Sequence, residues 1–147
     1  MRYFFYGTLM DPEVRAAVLG RAAACLLIRP AMLSGYRRVH APGRSWPVLI
    51  RAAGGRVQGV AVEDVDARLA RALLRYEGPA YRLAMCRARL ASGAAVTAAV
   101  FLPVVAPAGG RPWHHGAWLR RDKAVFLARL LGARAAGNRP TAAGHGR

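Results

Sequence analysis

Acidic side chains are scarce in this chain: Asp and Glu number 7 in 147 residues against 23 Lys and Arg, a formal net charge of +16. Glutamate occurs only at positions 13, 63 and 77. Lysine is rarer still, represented by Lys123 alone, so the positive charge is nearly all arginine. The arginines are scattered without a run of five or six, in a chain equally rich in alanine and glycine. That texture fits a general compositional bias and solvated faces better than a dedicated nucleic-acid patch. Sequence-independent, salt-sensitive affinity for phosphate backbones is the expectation.

Other absences narrow the classes further. Cysteine is limited to Cys25 and Cys86, far apart and inside apolar strand patterns, which excludes a disulfide framework and a cysteine zinc cluster; reduced thiols in a cytoplasmic protein are expected. No apolar run approaches the roughly 20 residues that span a bilayer, so no membrane partner is expected. The aromatic run Tyr3–Tyr6 is followed by Asp11 without a small-residue cleavage site, and reads as a strand rather than a signal peptide. His114 and His115 are adjacent, point in different directions and lack a third ligand at suitable spacing, so no metal is expected. There is no Ser-His-Asp arrangement, phosphate loop or Gly-x-Gly-x-x-Gly.

What is present suits one domain of 54 % hydrophobic residues, long enough to bury roughly 68–70 % of its unfolded surface. Residues 2–6 read as a central strand, broken by Gly7. Asp11 caps a helix that carries Pro12 first and ends at Gly20. Ala24–Arg29, stopped by Pro30, and Ala31–Val39, with Gly35 as a bulge, read as two strands. Trp46 is either a pocket wall or a core aromatic. Val48–Arg51 and Val57–Glu63 read as strands joined by a turn at Ala53-Gly54-Gly55-Arg56. A helix over 67–77 follows, capped by Asp66; then Tyr81–Ala91 and Ala95–Leu102 form a hairpin around Ser92-Gly93. A last helix is expected from about Ala117 to Leu131, with Leu119, Phe126 and Leu130 inward and Gly132 as stop. The folded domain is then residues 1–132, and 133–147 a disordered basic tail.

The chemistry concentrates at Tyr76-Glu77-Gly78-Pro79-Ala80-Tyr81. Leu69, Ala72, Leu73 and Tyr76 make one helix face apolar, and Glu77 follows beside it. Gly78 closes the helix, which leaves Glu77 at the negative end of its dipole, where a carboxylate is disfavoured by roughly 0.3–1 kcal/mol. An acid placed against stability is a candidate for function. The alternative is a solvated residue paired with Arg75 or Arg82. In the Tyr6-Gly7-Thr8-Leu9 turn between strand and helix, backbone N–H groups can converge on an anion; a tight turn without a ligand is the competing reading.

With these residues in hand, the chain over about 2–131 resembles the γ-glutamylcyclotransferase-like family, in particular its AIG2-like members. The resemblance is carried by Phe4-Phe5-Tyr6-Gly7-Thr8-Leu9-Met10, Leu33-Ser34-Gly35-Tyr36, Trp46-Pro47-Val48-Leu49, Val57-Gln58-Gly59-Val60, Val65-Asp66, Tyr76-Glu77-Gly78 and Tyr81-Arg82, in that order. It implies an α+β fold, a mixed β-barrel with flanking helices. It also implies cyclisation of a γ-glutamyl amide to 5-oxoproline with release of an amine or amino acid, without cofactor or metal. By resemblance Glu77 is the catalytic acid/base, Tyr6, Gly7, Thr8 and Leu9 hold the glutamyl moiety, and Tyr81 lines the pocket. The expected partner is a small γ-glutamyl substrate, with no specific nucleic acid, and the protein is expected to be a monomer or weak dimer. A noncatalytic basic module of the same fold, binding an acidic partner or nucleic acid, is the alternative function.

Overall fold

Four consecutive aromatics set the architecture. In the structure, a computed structural model that describes residues 1–137, Tyr3–Phe5 form strand β1. Strand side chains alternate between faces. Tyr3 and Phe5 pack outward under helices, while Phe4 and Tyr6 pack inward among Leu33, Leu49, Val57 and Val100. A strand buried on both faces needs an apolar body at every position, and the Tyr-Phe-Phe-Tyr run supplies it.

β1 pairs antiparallel with β3 (Pro47–Val62), from Tyr3↔Val62 to Phe5↔Val60, and parallel with β5 (Ala95–Pro103) at Tyr3↔Ala99. With β2 (Ile28–His40) and β4 (Tyr81–Leu90) the order is β1-β3-β2-β4-β5, a closed mixed barrel. Its interior is filled by Phe4, Tyr6 and the large side chains around them, together with small ones, Ala31, Ala61, Ala88 and Ala98. Helices α1 (Pro12–Leu19), α2 (Ala67–Glu77), α3 (His115–Arg121) and α4 (Lys123–Gly137) lie outside. The expected mixed barrel with flanking helices is the fold found.

Locally signalled boundaries fall where the residues place them. Asp11 accepts from the Glu13 and Val14 N–H groups at 3.1 Å, and Asp66 from Leu69 N–H at 2.9 Å. Gly78 ends α2 at φ +75°, and Gly93 turns the β4–β5 hairpin at φ +93°.

Three expectations are corrected. Ala24–Arg29 is not a strand: Gly20–Cys25 is a 3₁₀ segment, and β2 runs unbroken from Ile28 through Pro30. Proline is tolerated there because its carbonyl, on the same side as its missing N–H, meets Ala91 N–H at 3.2 Å, just past the end of β4. Ala53–Arg56 is not a hairpin turn. β3 is one strand of 16 residues paired with β2 along its length, and the pairing jumps from Ser34↔Arg56 to Tyr36↔Arg51, so Ala52–Gly55 bulge opposite Gly35. Finally, the last helix is two. α3 begins at His115 and buries Trp118, leaving Leu119 exposed, while Phe126 and Leu130 of α4 do pack on the core. Gly132 does not stop α4, which reaches Gly137 and whose Arg134 donates to the Val18 carbonyl at 3.1 Å. The rest of the expected tail, 138–147, lies outside the described residues.

Candidate active site

The segment Tyr6–Leu9 leaves the barrel directly after β1 and is held from three directions. Arg38, on β2, donates through Nη1 to the Tyr6 carbonyl at 2.8 Å and to the Gln58 carbonyl at 2.9 Å; its Nε reaches the Trp113 carbonyl at 3.3 Å. Arg15, buried on α1, donates through Nη1 to the carbonyls of Leu9 at 2.9 Å and Met10 at 2.7 Å. Gly7 lies against Pro47, where a β-carbon would come within 3.0 Å of the proline ring. Its φ of −123° needs no glycine. The close approach to Pro47, rather than a left-handed backbone, accounts for the residue.

Beyond Gly7 the chain makes one 3₁₀ turn, Thr8–Met10, whose first internal bond runs from Met10 N–H to the Gly7 carbonyl at 2.9 Å. The N–H groups of Gly7, Thr8 and Leu9 therefore find no acceptor within the turn. The Thr8 hydroxyl shares a 2.6 Å hydrogen bond with the Tyr76 hydroxyl, which ties the turn to the end of α2. Glu77 is the next residue. Leu69 and Leu73 anchor α2 in the core, Gly78 N–H closes the helix on the Leu74 carbonyl at 3.0 Å, and Glu77 is the last helical residue. Tyr81 then opens β4.

These pieces surround a cavity of about 420 Å³ walled mainly by aromatic groups: Tyr6, Trp46, Tyr76, Tyr81, Phe101 and Phe126. All the residues singled out by the sequence, Tyr6, Gly7, Thr8, Leu9, Glu77 and Tyr81, line it together. Trp46 is a wall of this cavity and packs edge-on to Phe126 at 6.1 Å. The side chain of Leu9 also belongs to the core.

The electrostatics follow from burial. Among the described residues Glu77 forms no ion pair, neither with Arg75 nor with Arg82. Desolvation by the aromatic walls raises its carboxyl from 4.5 to about 7. Burial also pushes Tyr81 up to about 12, helped by the Glu77 charge, and raises Tyr6 and Tyr76 well beyond the ordinary tyrosine value. The three phenols therefore stay neutral donors near neutral pH, and the Tyr6 hydroxyl is already committed to the Phe101 carbonyl at 2.6 Å. Among the described residues no group of three His, Cys, Asp or Glu converges as a metal set.

Sequence reasoning missed the two arginines that hold the Tyr6–Leu9 segment. In a chain with so many arginines, nothing local distinguishes Arg15 and Arg38 from their solvated neighbours; only the fold shows which are covered. Arg38 also stacks over Trp113 at 5.0 Å. Burial lowers the pKa of both. Asp11 does more than cap α1, since it pairs with Lys123 at 2.8 Å and so joins α1 to α4.

The chain matches known proteins over this same framework. Arabidopsis thaliana "Protein AIG2 C" is 36 % identical over 67 residues, which is 45 % of this chain and 39 % of that protein, so the match spans well under half the relative's length. An Arabidopsis protein solved in solution superposes with a TM-score of 0.66 at 22 % identity, covering 95 % of this chain and 93 % of its own. A mouse AIG2-like protein superposes at 0.58 with 18 % identity, covering 77 % and 84 %. At such identities the two structures speak to fold. No helix among the described residues is long and apolar enough to cross a membrane. Residues 3–120 match the family described as "Gamma-glutamyl cyclotransferase, AIG2-like", and the chain belongs to that family.

Proposed function

We propose that the protein is a γ-glutamylcyclotransferase in which Glu77 is the general acid/base. The observation that carries this reading is an unpaired carboxyl raised to about 7, in an aromatic cavity beside a turn with free N–H groups. A group poised near 7 can take a proton and return it at neutral pH.

In the proposed reaction the substrate's α-carboxylate sits against the N–H groups of Gly7, Thr8 and Leu9, which bends the chain so that the α-amine faces its own γ-carbonyl. Ring closure is intramolecular, so this positioning supplies much of the rate. The amine nitrogen attacks the carbonyl carbon and passes a proton to the Glu77 carboxylate. Glu77 delivers that proton to the amide nitrogen as its bond to carbon breaks. The products are 5-oxoproline and a free amine, and Glu77 is restored. No external water, cofactor or metal enters the balance. The neutral phenol of Tyr81 faces the same space and is suited to orient the glutamyl group.

The test is direct. Incubation with a panel of γ-glutamyl peptides and amides should release 5-oxoproline, and Glu77→Gln should lower the rate about 10²–10⁴-fold. Release at the parental rate by the Gln variant would remove Glu77 from the mechanism, and no release from any member of the panel would remove the activity.

A further inference from the structure

Among the described residues, Arg44 is the single cationic side chain lining the cavity, as Glu77 is the single anionic one. Arg44 is exposed and meets no carboxylate within ion-pair distance among the described residues. Its guanidinium lies over the Trp46 ring at 5.2 Å, so the aromatic wall guides it along the cavity mouth. The backbone beneath is fixed. Arg44 N–H donates to the Ala41 carbonyl at 3.0 Å, Ala41 N–H to the Trp46 carbonyl at 2.9 Å, and Trp113 Nε1–H to the Ser45 carbonyl at 2.7 Å. Arg44 is thus a free charge on an anchored loop at the cavity's edge.

The cavity has an inner and an outer end. Tyr6, Thr8 and Leu9 are buried, whereas Arg44 stands in solvent. Arg44 also forms the wall shared with a second depression, lined by Arg111, Arg121, His40 and His114 with Asp122. A γ-glutamyl compound that puts its glutamyl end at the buried turn directs its leaving group toward the exposed lining, Pro42, Arg44, Ala80 and Val105, where Arg44 is the single cation among the described residues. A carboxylate there gains a charge-assisted hydrogen bond, and a second ammonium meets a positive field.

We propose that Arg44 determines leaving-group specificity, favouring a leaving amine that carries a carboxylate, an amino acid or short peptide, over an uncharged or cationic one. This rests on the γ-glutamyl reading above. The matched probes are γ-glutamylglycine and γ-glutamylglycinamide, which differ only in that charge. In the parent, kcat/KM should favour γ-glutamylglycine by about tenfold at low salt, a preference that shrinks as salt rises. Arg44→Gln should bring the ratio of the two close to one, and Arg44→Lys should retain part of it. A structural role would lower both values together and keep the ratio, and that outcome overturns the proposal. Calorimetric binding of the same pair to Glu77→Gln, with and without Arg44→Gln, separates this from the reaction itself. If no member of the γ-glutamyl panel, these two included, yields 5-oxoproline, the cyclotransferase reading fails. Arg44 selectivity is then judged by the affinity ratio: about tenfold, and lost with Arg44→Gln, upholds it, and a ratio near one refutes it.

Discussion

Glu77→Gln should make the protein more stable in alkaline solution while leaving its stability in acid nearly as it was. The carboxyl rises from 4.5 to about 7 on folding, a change worth about 3 kcal/mol at roughly 1.4 kcal/mol per pH unit. Because the folded-state value is the higher one, the protonated form favours the folded state. That contribution is complete below about pH 4.5 and is lost as pH climbs through about 7. Water entering the cavity discounts the figure to about 2 kcal/mol. Glutamine keeps the shape without ionising, and whatever its amide costs is the same at every pH. Urea unfolding of both proteins at pH 5 and pH 8.5 isolates the carboxylate as the change in their difference. With a slope of about 1–3 kcal/mol per molar urea, the midpoint of the Gln variant should move up relative to the parent by about 1 M between the two conditions. A difference that is equal at both pH values, or that moves the other way, would show that Glu77 is not desolvated in the folded protein. The same carboxyl should place an inflection near pH 7 in the parental rate profile.

Gly7→Val should raise KM severalfold with a smaller effect on kcat, because a β-carbon already meets Pro47 at 3.0 Å and the branch displaces the turn; unchanged steady-state constants would move the anion grip elsewhere. Arg38→Met removes donors from the Tyr6, Gln58 and Trp113 carbonyls and should cost about 2–3 kcal/mol in denaturant unfolding, with a loss under 0.5 kcal/mol contradicting its positioning role. Duplex DNA of unrelated sequences should bind with equal affinity, falling steeply between about 50 and 200 mM salt. Selective binding of one sequence at physiological salt would favour the nucleic-acid function instead.

The parts legible in the sequence are those whose signals are local. Asp11, Asp66, Gly78 and Gly93 act on backbone within four residues, so α1, α2 and the β4–β5 hairpin could be delimited without knowing their neighbours. β2 and β3 could not. Pro30 and Gly54-Gly55 are breakers by local rule, and they are accommodated only because β4 ends beside one and Gly35 lies across from the others. The division of the last helix at Asp122 goes with the packing of Trp118 against Trp113 and Phe126, at 6.2 and 5.5 Å, contacts that no local pattern announces. At the site, Glu77 was visible because so few acids compete for attention. Arg15, Arg38 and Arg44 were hidden by abundance: what covers the first two, and the place of the third at the cavity mouth, appear only in the fold.

The barrel closes by joining its first strand to its last, and that fixes when the cavity comes into being. Tyr3 pairs with Ala99, and the Tyr6 hydroxyl reaches a carbonyl 95 residues away. The Tyr6–Leu9 turn precedes its far wall in the chain by most of the barrel. Such a distant closure is slow relative to helix and hairpin formation. A nascent chain that ends before β5 has α2 and Glu77 but leaves one edge of β1 unpaired, with no enclosed space for the carboxyl to enter. The pKa displacement of Glu77 is therefore a late event in folding, and its appearance in a refolding experiment would time barrel closure.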